Sequence, residues 1–283
     1  MSTEEQTRFL QELAHDLNSR EIALPSFPEA VINIRSALED PACSAKRLGS
    51  VVKTDPVLVA RLLISANSAF HNRAGIEIVD LELAISRLGF EVVRNTAITL
   101  AVEQIFNASR HKELRHHIKP IWDTSLSLAS MSFVIAQHLG RLNPDNAFLC
   151  GLFREVGKLY ILTKARSYPK LMGDDKSLDN VLQQWYTSVG KSIVAAWGFS
   201  EEIGASMSDE QTSSGANGTA TFADVIFCAR ALLAQLDAGE LPEELAPEML
   251  AALEGVGADG DAVPAIVAAY ERHRQSVLQG VTR

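Results

Sequence analysis

Apolar residues recur at helical spacing along most of the chain. Leu58, Leu62 and Ala66, for example, follow one another at four-residue intervals, which places them on one face of a helix. Stretches that alternate apolar and polar residues between turn residues, as strands do, are scarce. The pattern therefore predicts an all-α protein of about a dozen helices, and no repeat of fixed period is found.

Several helix boundaries can be predicted from capping residues. Asp55-Pro56 and Asn143-Pro144 each pair a capping side chain with a proline at the first helical position. Gly89 follows an apolar helical face at the point where a helix should end. Ser26 with Glu29 fits a capping box, and Ser177 is expected to cap a later helix.

The stretch 148–162, FLCGLFREVGKLYIL, continues the helix predicted from Asn143 as a wide apolar face. Gly157 within it costs about 1 kcal/mol relative to alanine in a helix, so the helix is expected to bend or end there, or to pack very closely. Two polar stretches interrupt the helical pattern. Residues 107–120 are expected to join two lobes, and residues 208–220 to form an exposed loop before helices near 221–238, 242–254 and 262–279.

Composition narrows the possible functions. The 283 residues are 47% hydrophobic and 6% aromatic, which favours packed helices. A net charge of −9 argues against a whole-chain electrostatic grip on nucleic acid or an anionic membrane. The three cysteines are far apart, which indicates reduced, buried thiols rather than a disulfide framework. No secretory signal or membrane-spanning run is found, so a cytoplasmic location is expected.

Several motifs, in order and spacing, resemble those of the HDOD (HD-related output domain) family. They include Leu24-Pro25, Asp55-Pro56, the Ala-Asn-Ser-Ala run at Asn67, Arg87-Leu88-Gly89 and Arg94-Asn95. The likeness covers about residues 20–210 and continues through AFLCGLFREVGKL and YTSVGKSIVAAWGF. It implies a two-lobed helical fold, with an N-terminal lobe at 1–110 and an HD-like C-terminal lobe at 111–283. It also implies a stand-alone bacterial signalling role, usually without known catalysis.

The resemblance also locates the positions that bind metal in active HD phosphohydrolases. In those enzymes a His, an adjacent His-Asp pair and a later Asp hold one or two ions that activate water. The corresponding positions here are Thr124, Arg154, Glu155 and, on a looser alignment, Arg230. Relatives often place a further His at the position of Tyr186. Since a guanidinium repels a divalent ion, only Glu155 could ligate a metal well.

These replacements predict a regulatory module that is not an enzyme and has no metal or other cofactor. Arg154, Glu155 and Arg230 are hypothesised to form a buried ion network, or the arginines to hold an anionic ligand such as a nucleotide phosphate. Expected partners are signalling proteins, among them receiver, kinase and cyclic-di-GMP turnover proteins. The alternatives are a diverged metal-dependent phosphodiesterase and a ligand-free scaffold. The groove between the lobes is a second candidate ligand site.

Other conspicuous residues have structural interpretations. Asn67 is expected to bond backbone at a helix end, with a ligand contact as the alternative, and Arg94-Asn95 to tie the lobes together. Gly157-Lys158 lacks the upstream glycine of a phosphate-binding loop, and the Lys158 amine is expected to reach water. The histidines of RHKELRHH do not share one helical face, which favours a solvated basic segment over a metal site.

Overall fold

A computed structural model describes residues 3–19, 29–108, 114–207, 220–237 and 260–281. Within these ranges the regular structure is helical, which confirms the predicted all-α class. The helices are α1 (Thr3–Ser19), α2 (Glu29–Glu39), α3 (Ala45–Val52), α4 (Pro56–Asn67), α5 (Leu81–Leu88), α6 (Phe90–Ala108), α7 (Arg115–Leu139), α8 (Pro144–Phe153), α9 (Val156–Ala165), α10 (Pro169–Met172), α11 (Asp175–Ala196), α12 (Glu201–Ala205), α13 (Phe222–Asp237) and α14 (Val263–Val281), with a 3₁₀ turn at Gly260–Ala262.

Most of the predicted helix boundaries are confirmed by their capping geometry. The Asp55 carboxylate accepts hydrogen bonds from the first free amides of α4, and Asn143 does the same for α8. Gly89 ends α5 with φ of 81°, a conformation that favours glycine. The prediction for Ser177 is wrong, because α11 begins earlier and Asp174 is its cap. Ser26 lies outside the described residues.

The helix predicted across 143–162 is interrupted at Arg154 and Glu155. These two residues form the turn between α8 and α9, and α9 then runs along α11. A side chain at Gly157 could not be accommodated there, since its Cβ would lie 2.0 Å from the Tyr186 carbonyl oxygen. Both predicted outcomes therefore occur: the helix breaks just before Gly157, and the chain packs very closely at it.

The core of the second half of the chain is the tight pair α7 and α8. A Cβ at Gly151 on α8 would lie 2.5 Å from backbone atoms of α7, so the two helices touch through their backbones. Ser125, Ser130 and Ser132 are buried on α7, which fits the role of small residues in close helix packing.

The first and last helices pack against helices that are distant from them in the sequence. Helix α1 packs against α10 and α11, where Phe9 meets Tyr168 edge-on, and Asp16 bonds Tyr160 and Lys164 of α9. Helix α14 lies across both α7 and α4. The helices α2–α6 pack on one another. They meet the second half of the chain through α14, through the contacts of α6 with α7 and α8, and through Arg35, which donates to the carbonyl groups of Trp197 and Gly198.

None of the described helices combines the length and apolar character that crossing a bilayer requires. Cys150 and Cys228 are buried, and burial raises the pKa of each thiol to about 12. Cys43 is partly exposed. The two buried thiols therefore remain protonated, as expected for side chains that only pack.

Candidate functional site

A buried cluster of charged and aromatic groups surrounds the turn between α8 and α9. The Arg154 side chain is only 1% exposed, and its guanidinium donates to the Tyr186 hydroxyl at 3.0 Å and to the Met207 carbonyl. The Arg154 guanidinium carbon also lies 5.0 Å from the centre of the Tyr186 ring, and the Lys158 amine lies 4.7 Å from it. Tyr186 is thus contacted by two cations. We call Arg154, Glu155, Lys158 and Tyr186 the Tyr186 cluster.

Glu155 completes this cluster through an ion pair with Lys158. The Glu155 side chain is 7% exposed and the Lys158 side chain 18%, so the pair is largely removed from solvent. The Lys158 amine, expected to reach water, is paired with this carboxylate. A buried pair of this kind fixes geometry, and its attraction is offset by the cost of desolvating both charges.

The structure pairs Glu155 with Lys158, a residue that the hypothesised network of Arg154, Glu155 and Arg230 did not include. The carboxylate of Glu155 is bound by Lys158, one helical turn further along the chain, and Arg230 is exposed on α13. Thr124 is exposed on α7, whereas the next residue, Ser125, is fully buried. Adjacent residues on a helix point about 100° apart, so an offset of one position moves a side chain from the core to the surface.

Among the positions aligned with the metal ligands of HD enzymes, Thr124 and Arg230 are exposed and Arg154 presents a cation. An ion at Glu155 would compete with Lys158 for its carboxylate. Over the described ranges, no group of three or more His, Cys, Asp or Glu side chains is placed to hold a metal.

The contact of α6 with α8 is polar, as predicted for Arg94-Asn95. Arg94 donates to the Asn146 side chain at 3.1 Å, and Asn95 donates to the Asp145 carboxyl at 2.9 Å and to its carbonyl at 3.2 Å. The pKa of Asp145 is raised to about 6, chiefly by burial and then by Glu91, with Arg94 opposing both. These bonds tie the two lobes together beside the N-terminus of α8.

A cavity of about 70 Å³ lies next to this contact, between the two lobes. We call it the interlobe cavity. Its wall is formed by α4 and α6 on one side and by α7, α8 and α14 on the other. The groove between the lobes predicted from the sequence thus exists, but none of the cluster around Tyr186 lines it.

His273 of α14 is the most unusual residue in the cavity wall. It is 7% exposed and stacks on Phe133, with ring centres 4.2 Å apart and planes at 11°. Desolvation lowers the pKa of His273 to about 3, with a further effect from His71, so the imidazole is neutral. No motif in the sequence singles out this residue. The sequence pattern that could have revealed it is a polar residue on the apolar helical face formed by Ile266, Val267 and Tyr270.

Asn67 bonds backbone as predicted. Its side-chain amide donates to the carbonyl groups of Leu63 and Ile78, and its oxygen accepts from the Ile78 amide at 2.8 Å. The side chain therefore holds the segment after α4 against the end of that helix. This use of both ends of the amide supports the structural interpretation over the ligand contact.

The remaining candidates have structural roles. His116 is exposed and His117 partly buried at the start of α7, while His111 lies outside the described residues. Trp197 is buried in the core, and Trp122 and Trp185 are partly buried against it. Most of the loop predicted at 208–220 lies outside the described residues, as does the helix predicted at 242–254.

Solved structures share this fold at low sequence identity. A provisionally named metal-dependent phosphohydrolase from Shewanella amazonensis aligns with a TM-score of 0.78 and 21% identity, over 96% of this chain and 99% of its own. An HDOD domain protein of unknown function from Geobacter sulfurreducens aligns at 0.65 and 21%, over 96% and 100%. A provisionally named signal transduction protein from Marinobacter aquaeolei aligns at 0.66 and 19%, over 97% of this chain and 65% of its own.

An uncharacterised protein from Treponema pallidum is 22% identical over 163 residues. The match covers 56% of this chain and 30% of that relative, so the chain spans only part of the relative's length. The family comparison is more specific. The family model described as the HDOD domain matches residues 24–212, close to the range of about 20–210 expected from the motifs, and the chain therefore belongs to the HDOD domain family.

Proposed function

We propose that this chain is a non-catalytic signal-transduction module that acts through contacts with other signalling proteins. The observation that carries the proposal is the Tyr186 cluster. Two cations, Arg154 and Lys158, contact Tyr186, and the Glu155 carboxylate is engaged by Lys158. Such a group stabilises a particular arrangement of α8, α9 and α11 and offers no open position for a hydrolytic metal.

A metal and turnover test addresses the loss of catalysis. The protein is incubated with Mn²⁺ or Fe²⁺, desalted, and measured for bound metal and for hydrolysis of bis-p-nitrophenyl phosphate. We expect substoichiometric metal and the same background rate in the wild type and in Glu155→Gln. About one ion per chain, together with a rate that Glu155→Gln abolishes, would instead establish the alternative, a diverged phosphodiesterase built on the remaining carboxylate.

An anionic ligand receives less support than a protein partner. Arg154 is buried and donates to Met207 and Tyr186, whereas Arg230 is exposed on a different helix. The two arginines hypothesised to hold a phosphate therefore lie in different environments, Arg154 buried and Arg230 exposed. Calorimetry with cyclic dinucleotides is expected to give no heat of binding, and a saturable heat lost in Arg154→Met would restore the anionic-ligand hypothesis.

The partner side of the proposal is tested by affinity capture from native cytoplasm at physiological salt. We expect specific recovery of receiver, kinase or cyclic-di-GMP turnover proteins. The comparison variant is Gly157→Ala, whose added Cβ is expected to push α9 away from α11 and so to disturb the Tyr186 cluster. Recovery of the same proteins by the folded and the disrupted forms, or of none, would favour the ligand-free scaffold.

A further inference from the structure

Two uncharged residues that line the interlobe cavity each have a buried polar atom without a hydrogen-bond partner in the described part of the chain. These atoms are Oδ1 of Asn95 and Nδ1 of His273. Asn95 is 6% exposed and His273 7%, so bulk solvent does not satisfy them. Leaving a buried polar atom without a partner costs about 1–3 kcal/mol, and native proteins rarely retain two beside one cavity without an occupant.

The cavity also offers apolar contact. Phe133 stacks on His273, and Phe70 and Phe148 meet its edge, with ring centres 5.3 and 6.0 Å away. All three phenylalanines line the cavity. Water could satisfy the two polar atoms but would gain little from the aromatic faces, whereas a small organic molecule would use both.

The charges of the wall are already balanced or suppressed. Arg61 pairs with Glu103 at 2.5 Å, and the imidazole of His273 is held neutral by burial. The Asp145 carboxyl, which also lines the cavity, has a pKa raised to about 6 and is therefore ionised at pH 7.5, but Asn95 donates to it and Arg94 lies close enough to oppose the shift, so it already has partners. A charged ligand would have to lose its hydration here without gaining a free counter-charge.

We propose that the interlobe cavity is a binding site for a small uncharged organic molecule that presents a hydrogen-bond donor and an acceptor side by side, as a primary carboxamide does. The donor of the ligand bonds Oδ1 of Asn95. Nδ1 of His273 bonds the other group of the ligand, as a donor or as an acceptor according to the tautomer of the imidazole. A volume of about 70 Å³ is roughly half that of a cavity that holds benzene, which limits the buried part to a few heavy atoms.

The occupant would contact both lobes at once. Asn95 is on α6, His273 is on α14, and Ser276 of α14 bonds Ser68 beyond α4 at 3.0 Å. This site uses residues different from the Tyr186 cluster. Whether a ligand binds in the interlobe cavity is therefore independent of the outcome of the metal and turnover test.

The experiment compares three molecules of nearly equal shape and different charge: acetamide, acetate and acetamidinium. Each is titrated into the whole protein at pH 7.5, and backbone amide shifts of Asn95, Phe133 and Ser276 are followed by ¹H–¹⁵N NMR. We expect saturable shifts with acetamide and at least about tenfold weaker binding of both charged analogues, because each would be desolvated without a partner.

Variants then locate the binding. His273→Phe keeps an aromatic ring stacked on Phe133 but removes Nδ1. Val277, a partly exposed residue of the cavity wall, is replaced in Val277→Phe by a larger side chain that fills the cavity. Both should reduce acetamide binding by at least about tenfold, while Tyr270→Phe, a buried change on α14 outside the cavity, should not. If His273→Phe does not fold, Val277→Phe alone decides the comparison.

Three results would overturn the inference. Acetamide could fail to saturate the cavity resonances, the three molecules could bind equally, or the folded cavity variants could bind as well as the wild type. The first result would mean that water alone occupies the cavity, and the second that the site does not select for an uncharged molecule.

Discussion

At the residue scale, the Glu155–Lys158 pair is the most consequential contact of the candidate site. Both side chains are largely buried, so removing one partner leaves the other charge desolvated. We expect Glu155→Met and Lys158→Met each to lower the free energy of unfolding by roughly 3 kcal/mol, and Lys158→Met also to lose its contact with the Tyr186 ring.

The double variant Glu155→Met/Lys158→Met should recover most of this loss, because an apolar pair avoids the cost of desolvation. Urea unfolding of the four proteins measures the coupling free energy directly. The exposed pair Lys119–Asp123 serves as the control cycle, with an expected coupling below about 1 kcal/mol. Equal coupling in both cycles would contradict a buried role for the Tyr186 cluster.

The sequence was sufficient to single out Arg154 and Glu155 but not to name their partners. Arg154 and Glu155 stand out because they occupy the positions at which the family resemblance places the His-Asp pair of active HD phosphohydrolases. Lys158 is only three positions from Glu155, but Tyr186 becomes a partner only once α9 lies on α11, and its separation of 32 positions from Arg154 gives no local signal of that contact. The Thr124 assignment was vulnerable for a different reason, since an offset of one residue changes the face of a helix.

At the element scale, the close approach of α9 to α11 depends on Gly157. A Cβ at this position would lie 2.0 Å from the Tyr186 carbonyl oxygen and 2.8 Å from the Gly190 amide nitrogen, and both are backbone atoms. We therefore expect Gly157→Ala to destabilise the protein by about 3 kcal/mol or more, although alanine is the better helix former by about 1 kcal/mol.

Gly49→Ala on α3 is the matched control for this change. Its added Cβ would meet side-chain atoms at 3.5 Å, an ordinary contact distance, so the helix propensity should prevail and stabilise the protein by up to about 1 kcal/mol. Thermal unfolding of both variants gives opposite signs on this argument. A stabilising Gly157→Ala would show that α9 can move away from α11 at little cost.

The contact of α6 with α8 should depend on pH through Asp145. Its pKa in the folded protein is raised to about 6, so the folded state binds the proton more tightly than the unfolded chain. The stability due to this carboxyl is therefore complete below its unfolded pKa of about 3.9 and is lost as pH rises through about 6.

Asp145→Asn should remove this loss, so that the variant gains stability relative to the wild type as pH rises from about 4 to about 6. Denaturant unfolding at several pH values measures the difference, and Asp123→Asn on α7 controls for the loss of one negative charge. A constant difference between Asp145→Asn and the wild type across this range would mean that the carboxyl titrates normally.

At the scale of the whole molecule, the helical class and the family could be predicted because both depend on local patterns. Capping at Asp55 and Asn143, the stop at Gly89 and the apolar periodicity each act within a few residues. The interlobe cavity could not be predicted in the same way. It depends on His273 of α14 meeting Asn95 of α6, a pairing that only the packed lobes define.

Because α14 packs on both α7 and α4, the two lobes should unfold together. Ile266→Ala removes a side chain that is 1% exposed on α14 and should cost roughly 3 kcal/mol, whereas Glu271→Ala on the exposed face of the same helix should cost under about 0.5 kcal/mol.

Urea unfolding is followed by circular dichroism, which reports on all helices, and by the fluorescence of Trp122, Trp185 and Trp197, which all lie beyond α6. In the wild type and in Ile266→Ala the two signals should share one midpoint, shifted equally by the substitution. Separate midpoints would show that α2–α6 fold as an independent unit, and the interlobe cavity would then lie at a flexible joint.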